Sequence, residues 1–237
     1  MIVDDSFIQL QQLCELAGDK ILSLYKKKSL KIYKKEDTTP VTDADFIAHD
    51  LISSFLSKNY TYPIVSEESS NNPRCLPTGT YWLIDPLDGT KNFIDGNDDF
   101  TVNIALINNK IPYLGVIYLP TTREFYYSDK QRGAFLFSGL GVKKKIFATK
   151  NFETNNLRMM VSRKYKNIDG KKIEKLLNSK VSFIKRGSSL KFCYIASGLA
   201  DLYIRDYPTS VWDTAAGQCL VECAGGVVST YMGNSLL

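Results

Sequence analysis

The chain has little histidine and no long apolar run. One histidine, His49, in 237 residues leaves nothing for a His-rich metal centre, and His49 reads as a surface or packing residue. The five cysteines, Cys14, Cys75, Cys193, Cys219 and Cys223, lack the paired spacing of a zinc site. Their odd number fits buried free thiols in a reducing cytoplasm better than a disulfide framework. No stretch reaches the roughly 18–20 apolar residues that span a bilayer, so no transmembrane segment is expected. The start, Met1-Ile2-Val3-Asp4-Asp5, has no basic-then-apolar leader. The net charge is only +5. Lysines gather at Lys26-Lys27-Lys28, Lys34-Lys35 and Lys143-Lys144-Lys145. No basic stripe interleaved with aromatics accompanies them, so a nucleic-acid polymer is not an expected partner and the runs read as solvated surface.

What is present is ordinary for a globular domain with a sizeable core: 44% hydrophobic and 23% charged residues. Phe7, Leu10, Leu13, Cys14, Ala17, Ile21 and Leu24 recur at helical spacing, and a second helix is expected over Ala44–Ser57. The polar stretch Lys34–Pro40 between them reads as a loop or irregular hairpin. Short apolar runs bounded by turns follow. Tyr62–Val65, Tyr81–Ile84, Thr101–Ile107, Leu114–Leu119, Glu124–Tyr127 and Ala134–Phe137 read as strands. Beyond Thr149 the rhythm alternates: strands at Met159–Val161, Val181–Ile184 and Leu202–Ile204, helices at Lys171–Leu177, Ser189–Ser197 and Thr214–Ala224, and a further strand beginning at Val227-Val228. The layout is mixed α/β or α+β, one domain over 1–237 with its only candidate division near residue 150.

The chemistry concentrates in Asp85-Pro86-Leu87-Asp88-Gly89-Thr90-Lys91-Asn92-Phe93, directly after the apolar run Tyr81-Trp82-Leu83-Ile84. Carboxylates suit a hard cation, and a turn opening a helix offers backbone N–H groups to phosphate. Three more acidic segments stand at expected element ends: Asp43-Ala44-Asp45, Glu67-Glu68 and Asp213. Taken singly, Asp43, Asp45 or Asp213 could cap a helix, and Glu67-Glu68 could be exposed loop charges. Asp85, ending a buried strand, needs a partner. Several converging carboxylates repel one another unless a cation joins them.

Asp45, Glu67-Glu68, Asp85-Pro86-Leu87-Asp88-Gly89-Thr90 and Trp212-Asp213, with Gly225-Gly226 eleven residues further on, resemble the signature of the lithium-sensitive, magnesium-dependent phosphomonoesterases. That superfamily includes inositol monophosphatases, fructose bisphosphatases and bisphosphate nucleotidases. Thr39-Pro40-Val41-Thr42, Lys91, Phe100–Ile107 and Gly187-Ser188-Ser189-Leu190-Lys191-Phe192-Cys193 make the chain most similar to the bacterial 3′(2′),5′-bisphosphate nucleotidases. Asn92 departs towards the inositol monophosphatases, since nucleotidases usually carry Glu there.

The resemblance implies a layered αβαβα sandwich and hydrolysis of 3′-phosphoadenosine 5′-phosphate to AMP and phosphate, within sulfur metabolism. It implies two or three Mg²⁺ ions: Glu67, Asp85 and the Leu87 carbonyl around one, Asp85, Asp88 and Asp213 around a second, and Glu68 near a third. Gly89 and Thr90 would receive the phosphate, which Glu67, Leu87, Asp88 and Asp213 also face. Asp45 and Thr90 would orient the attacking water. Ser188, Ser189 and Lys191, with Arg186 and Arg205 as weaker candidates, would hold the rest of the nucleotide. The enzyme would be cytoplasmic, free or held at the cytoplasmic face of the inner membrane. An inositol-phosphate phosphatase and a non-catalytic phosphate-binding module are the alternatives. Nothing in the sequence sets an oligomeric state.

Overall fold

The computed structural model describes residues 5–27, 30–35, 37–69, 76–139, 143–150, 155–163 and 170–236. Lys28, Glu36 and Cys75 lie outside the described residues.

Helix α1 (Asp5–Leu24) buries Leu10, Leu13, Cys14, Ala17 and Ile21, one stripe at helical spacing. The polar stretch after it is a small antiparallel hairpin, β1 (Ile32–Lys34) with β2 (Pro40–Thr42). Helix α2 (Asp43–Asn59) starts at a capping box. The Thr42 side chain accepts from the Ala44 N–H, and the Asp45 carboxylate accepts from the Thr42 N–H at 2.8 Å and the Thr42 hydroxyl at 2.6 Å. Thr42 is therefore the cap, and Asp45 closes the box from inside the helix.

Seven strands follow in chain order as one sheet: β3 (Ile64–Ser66), β4 (Thr80–Asp88), β5 (Thr101–Asn108), β6 (Ile111–Leu119), β7 (Glu124–Asp129), β8 (Gly133–Phe137) and β9 (Lys143–Ile146). Only the β3–β4 pair is parallel. Alternation along β4 sends Trp82 and Ile84 to one face and Tyr81 and Leu83 to the other. The first face packs against α1 and α2, the second against α5 (Leu190–Ala196) and α6 (Val211–Cys223). Both faces are covered, so β4 reads as a continuous apolar run.

A second sheet of parallel strands, β10 (Asn156–Ser162), β11 (Lys180–Arg186) and β12 (Leu202–Tyr203), has the order β11-β10-β12. Its Tyr203 side meets Phe192 of α5 edge-on at 5.6 Å. Phe183, on the other side, packs under Gly170 of α4 (Gly170–Leu177). The layers run helices, sheet, helices, sheet, helix, the expected αβαβα order. The second core cluster draws on residues from both sides of residue 150.

Several elements differ from expectation: β3 begins at Ile64 rather than Tyr62, β4 runs past Ile84 to Asp88, and the lysine run at 143–145 forms the unexpected strand β9. Helix α6 begins at Val211, a turn before Thr214, because Ser210 and Asp213 form a second capping box. Val227-Val228 is not a strand. Gly225 takes φ +89°, its N–H bonds the Glu222 carbonyl, and the Gly226 N–H bonds that of Val221. This Schellman-type stop is what the Gly-Gly pair does. Among the described residues no helix is long and apolar enough to cross a membrane.

Candidate metal and phosphate site

β4 leaves its ladder with β5 by a register shift between Asp85 and Asp88. Pro86 fits that irregularity because it has no N–H to place in a ladder. The Leu87 N–H turns back to Asp85 Oδ1 at 3.1 Å. Gly89 takes φ +92°, and a Cβ there would stand 2.8 Å from the Asp99 carbonyl, so only glycine fits. The short helix α3 (Thr90–Ile94) opens directly after it, as the sequence suggested.

Glu67, just past β3, and Asp213, in the first turn of α6, approach Asp85. One carboxylate oxygen from each lies within 4.8 Å of the other two. Asp85 is only 1% exposed. Burial pushes its pKa well up, and the negative charges of Glu67, Asp88, Asp213 and Asp45 push it further. Burial also raises Glu67 and Asp213. Such a set is repulsive when ionised and needs a cation.

One cation of the chain lies beside this cluster. Lys35 Nζ sits 2.6 Å from a carboxylate oxygen of both Glu67 and Glu68. Burial disfavours the charged amine, but the two glutamates outweigh it and raise the Lys35 pKa. The reading of Lys34-Lys35 as solvated surface is corrected for Lys35. Its partners lie 32 and 33 residues further along, which the local pattern does not reveal.

Thr90 and Asp45 meet as anticipated. Thr90 Oγ1 donates to Asp45 Oδ1 at 3.0 Å and also lies 3.1 Å from the Leu87 carbonyl. Burial raises the Asp45 pKa, partly offset by its bonds to Thr42 and Thr90. His49 is half-buried, with Nδ1 2.8 Å from Ser66 Oγ, a packing and hydrogen-bonding role.

Ser188 and Ser189 each place a hydroxyl 2.8 Å from Asp88 Oδ2. They line a cavity of about 340 Å³ together with Asp88, Asp213, Lys191 and Arg205. Lys191 is 4% exposed. Its ammonium donates to the Ser188 carbonyl at 2.5 Å and lies 5.4 Å from the centre of the Tyr203 ring. Burial lowers its pKa to about 8. The cavity lining thus combines the carboxylates Asp88 and Asp213 with the cations Lys191 and Arg205. Arg186 lies elsewhere, its Nε bonded to the Tyr194 hydroxyl at 3.0 Å and outside this cavity's lining. Asn92 spends its amide on the Asp99 carbonyl at 2.8 Å, which makes it a strut between α3 and the start of β5.

Asp99, Thr101 and Asn103 escaped the sequence reading as site residues. Their signal was polar side chains at alternate positions in and just before an apolar strand.

Residues 4–237 match the model of the inositol monophosphatase family. Over 234 residues the chain is 42% identical to the 3′(2′),5′-bisphosphate nucleotidase CysQ of Buchnera aphidicola, covering 96% of this chain and 86% of that protein. Among solved structures it is similar to CysQ of Bacteroides thetaiotaomicron, with a TM-score of 0.73, 33% identity, and 90% and 84% of the two chains covered. An inositol monophosphatase of Thermotoga maritima superposes with a TM-score of 0.80 at 24% identity over 97% and 87% of the two chains, a likeness of fold.

Proposed function

The chain belongs to the inositol monophosphatase family, and we propose that it hydrolyses 3′-phosphoadenosine 5′-phosphate to AMP and phosphate. The observation that carries this reading is a cavity lined by both carboxylates and cations. Asp88 and Asp213 would face a cation and the scissile phosphate, and Lys191 and Arg205 line the same cavity and suit a further anionic group. A substrate with a second phosphate uses both the carboxylates, through the cation, and the two basic side chains. An inositol monophosphate offers Lys191 and Arg205 no second phosphate, and Asn92, which favoured that alternative, is occupied as a strut.

The donor set fits Mg²⁺. Glu67, Asp85 and Asp213 offer only oxygens, close together, and Lys35 offsets their charge only at the Glu67 side. Glu67, Asp85 and the Leu87 carbonyl would hold one ion and Asp85, Asp88 and Asp213 another, with Glu68 beside a third. When bound, Mg²⁺ supplies charge neutralisation, polarisation of the phosphoryl oxygens and an acidified water.

The chain's own residues do the rest. Thr90 gives its single proton to Asp45, which leaves its oxygen free to accept a hydrogen bond from the attacking water. Asp45, held by two bonds from Thr42 and raised by burial, is a stronger base than an exposed aspartate and takes up proton density as the water attacks. The Gly89 turn presents backbone N–H groups to the phosphate. Lys191 and Arg205 grip the remainder of the nucleotide, while the Ser188 and Ser189 hydroxyls, expected there too, are turned to Asp88.

A phosphate-release panel tests the proposal, with 3′-phosphoadenosine 5′-phosphate, 3′-AMP and inositol 1-phosphate, each with and without Mg²⁺. The bisphosphate should be turned over fastest, only with Mg²⁺, and with inhibition by Li⁺. Faster turnover of inositol 1-phosphate replaces the substrate, and no release from any of the three leaves a binding module.

A further inference from the structure

Asp99, just before β5, and Thr101 and Asn103 within it occupy alternate positions and share a side of the strand. All three are buried, at 5%, 0% and 1% exposure. They bond, in order, to three successive residues of the β11–α5 connection. Asp99 Oδ2 accepts from the Gly187 N–H at 2.6 Å and from Arg163 Nε. Thr101 Oγ1 lies 2.6 Å from Ser188 Oγ. Asn103 Nδ2 donates to Ser189 Oγ at 2.8 Å.

The partners are tightly constrained. A Cβ on Gly187 would stand 2.2 Å from Asn92 Nδ2, and Ser188 takes φ +52°, a conformation uncommon outside glycine. The three rungs hold this turn.

Proton accounting gives the rungs a direction. Each serine hydroxyl has one proton. Both serines are within donating distance of Asp88 Oδ2. To donate there, Ser189 accepts from the Asn103 amide and Ser188 accepts from the Thr101 hydroxyl. Thr101 has a competing acceptor, Asn103 Oδ1, at 3.0 Å. The Thr101–Ser188 contact is the shorter of the two, and with the Thr101 proton on Ser188 two parallel chains, Thr101 to Ser188 to Asp88 and Asn103 to Ser189 to Asp88, saturate Oδ2. They leave Asp88 Oδ1 for whatever occupies the cavity that Asp88 lines.

We propose that Thr101 and Asn103 are positioning residues: from the buried face of β5 they orient the Ser188 and Ser189 hydroxyls onto Asp88 and so aim its free oxygen into the site. The inference rests on the proposed function in taking Asp88 to be an ion ligand, and its test reads ion affinity directly as well as turnover.

Thr101→Val keeps shape and burial but removes the hydroxyl, while Ser188 retains Asp88 as an acceptor. Calorimetric titration with Mn²⁺, without substrate, should show affinity reduced about tenfold or more, as expected for partners that orient ligands. kcat should fall by a similar factor and KM should change little. Thr101→Ser should restore both, which a loss of packing would not predict. Asn103→Ser, too short to reach Ser189, should repeat the loss by the second chain. Wild-type Mn²⁺ affinity and kcat in Thr101→Val and Asn103→Ser overturn the inference. If the wild type binds Mn²⁺ and Thr101→Val weakens it, yet neither releases phosphate from any substrate, the positioning stands and the nucleotidase reading falls.

Discussion

Asp85 is 1% exposed, and burial and four neighbouring carboxylates all resist its ionisation. Without a cation it destabilises the folded chain, because an uncompensated buried charge costs several kcal/mol. Asp85→Asn keeps the shape and the Oδ1 acceptor for the Leu87 N–H while removing the charge. In Mg²⁺-free buffer this variant should gain about 1–3 kcal/mol, roughly 2–12 °C in Tm by calorimetry, and it should release almost no phosphate. An unchanged or lower Tm would mean that Asp85 is not strained. Lys191 poses the opposite problem. Burial holds its pKa near 8, so it is charged below that pH and neutral above it. On the proposed reading, its grip on a second phosphate is lost as pH rises through about 8. kcat/KM for 3′-phosphoadenosine 5′-phosphate should fall above pH 8, since that parameter reports the free enzyme. 3′-AMP, lacking the 5′-phosphate, should show no such fall. Coincident pH profiles for the two substrates would remove Lys191 from the nucleotide site.

Helix α6 links the site to the core. Its first turn holds Asp213, whose Oδ2 accepts from Thr209 Oγ1 at 2.6 Å and from the Ser210 N–H at 3.1 Å. The residues from Thr214 to Val221 are buried. Gly217 sits mid-helix, where glycine costs about 1 kcal/mol relative to alanine, and the crossing with α5 explains it. A Cβ at Gly217 would lie 2.3 Å from Phe192 Cγ, a ring atom with no freedom to swing away. Gly217→Ala should therefore cost about 1–3 kcal/mol, read as a lower Tm, despite the better helix propensity. A Tm at or above wild type would show that α5 and α6 can part. The same elements show what was legible. The stripe of α1, the acidic residues at the ends of β3 and β4 and the turn at Gly89 are local patterns, and they were read correctly. The start of α6 was not, because Val211-Trp212 lacks a polar signal of its own and the cap residue, Ser210, acts only with Asp213. Lys35, Thr101 and Asn103 were read by residue type alone, since their partners are 32 to 87 residues away. Lys143 and Lys145 mix the two cases. They lie on the edge strand β9, where lysine discourages strand pairing, yet Lys143 also covers the Phe135 and Phe137 rings at 5.0 and 5.4 Å.

Across the whole molecule the candidate site gathers distant layers. Asp45 comes from α2, Glu67, Asp85 and Asp88 from the large sheet, and Asp213 from a helix on the opposite face of that sheet. A cation held by Glu67, Asp85 and Asp213 would therefore tie parts of the chain nearly 150 residues apart in sequence, which couples ion binding to global stability. At a free Mg²⁺ concentration of about 100 Kd, binding to the folded state alone adds about 2.7 kcal/mol, roughly 5–10 °C in Tm for a chain of this size. The size of that gain depends on pH, with a definite sign. Burial raises the pKa values of Asp45, Glu67, Asp85 and Asp213 above those of the unfolded chain. The ion-free folded state then holds protons that the unfolded state has given up, so its stability falls as pH rises from the ordinary carboxylate range through the raised values. Mg²⁺ competes with those protons below this window and replaces the missing positive charge above it. Differential scanning calorimetry at pH 5 and pH 8, with and without Mg²⁺, should give the larger Mg²⁺-induced rise in Tm at pH 8, and Asp213→Asn should shrink that rise. An Mg²⁺ effect equal at the two pH values would mean that the buried carboxylates are not the ion's ligands.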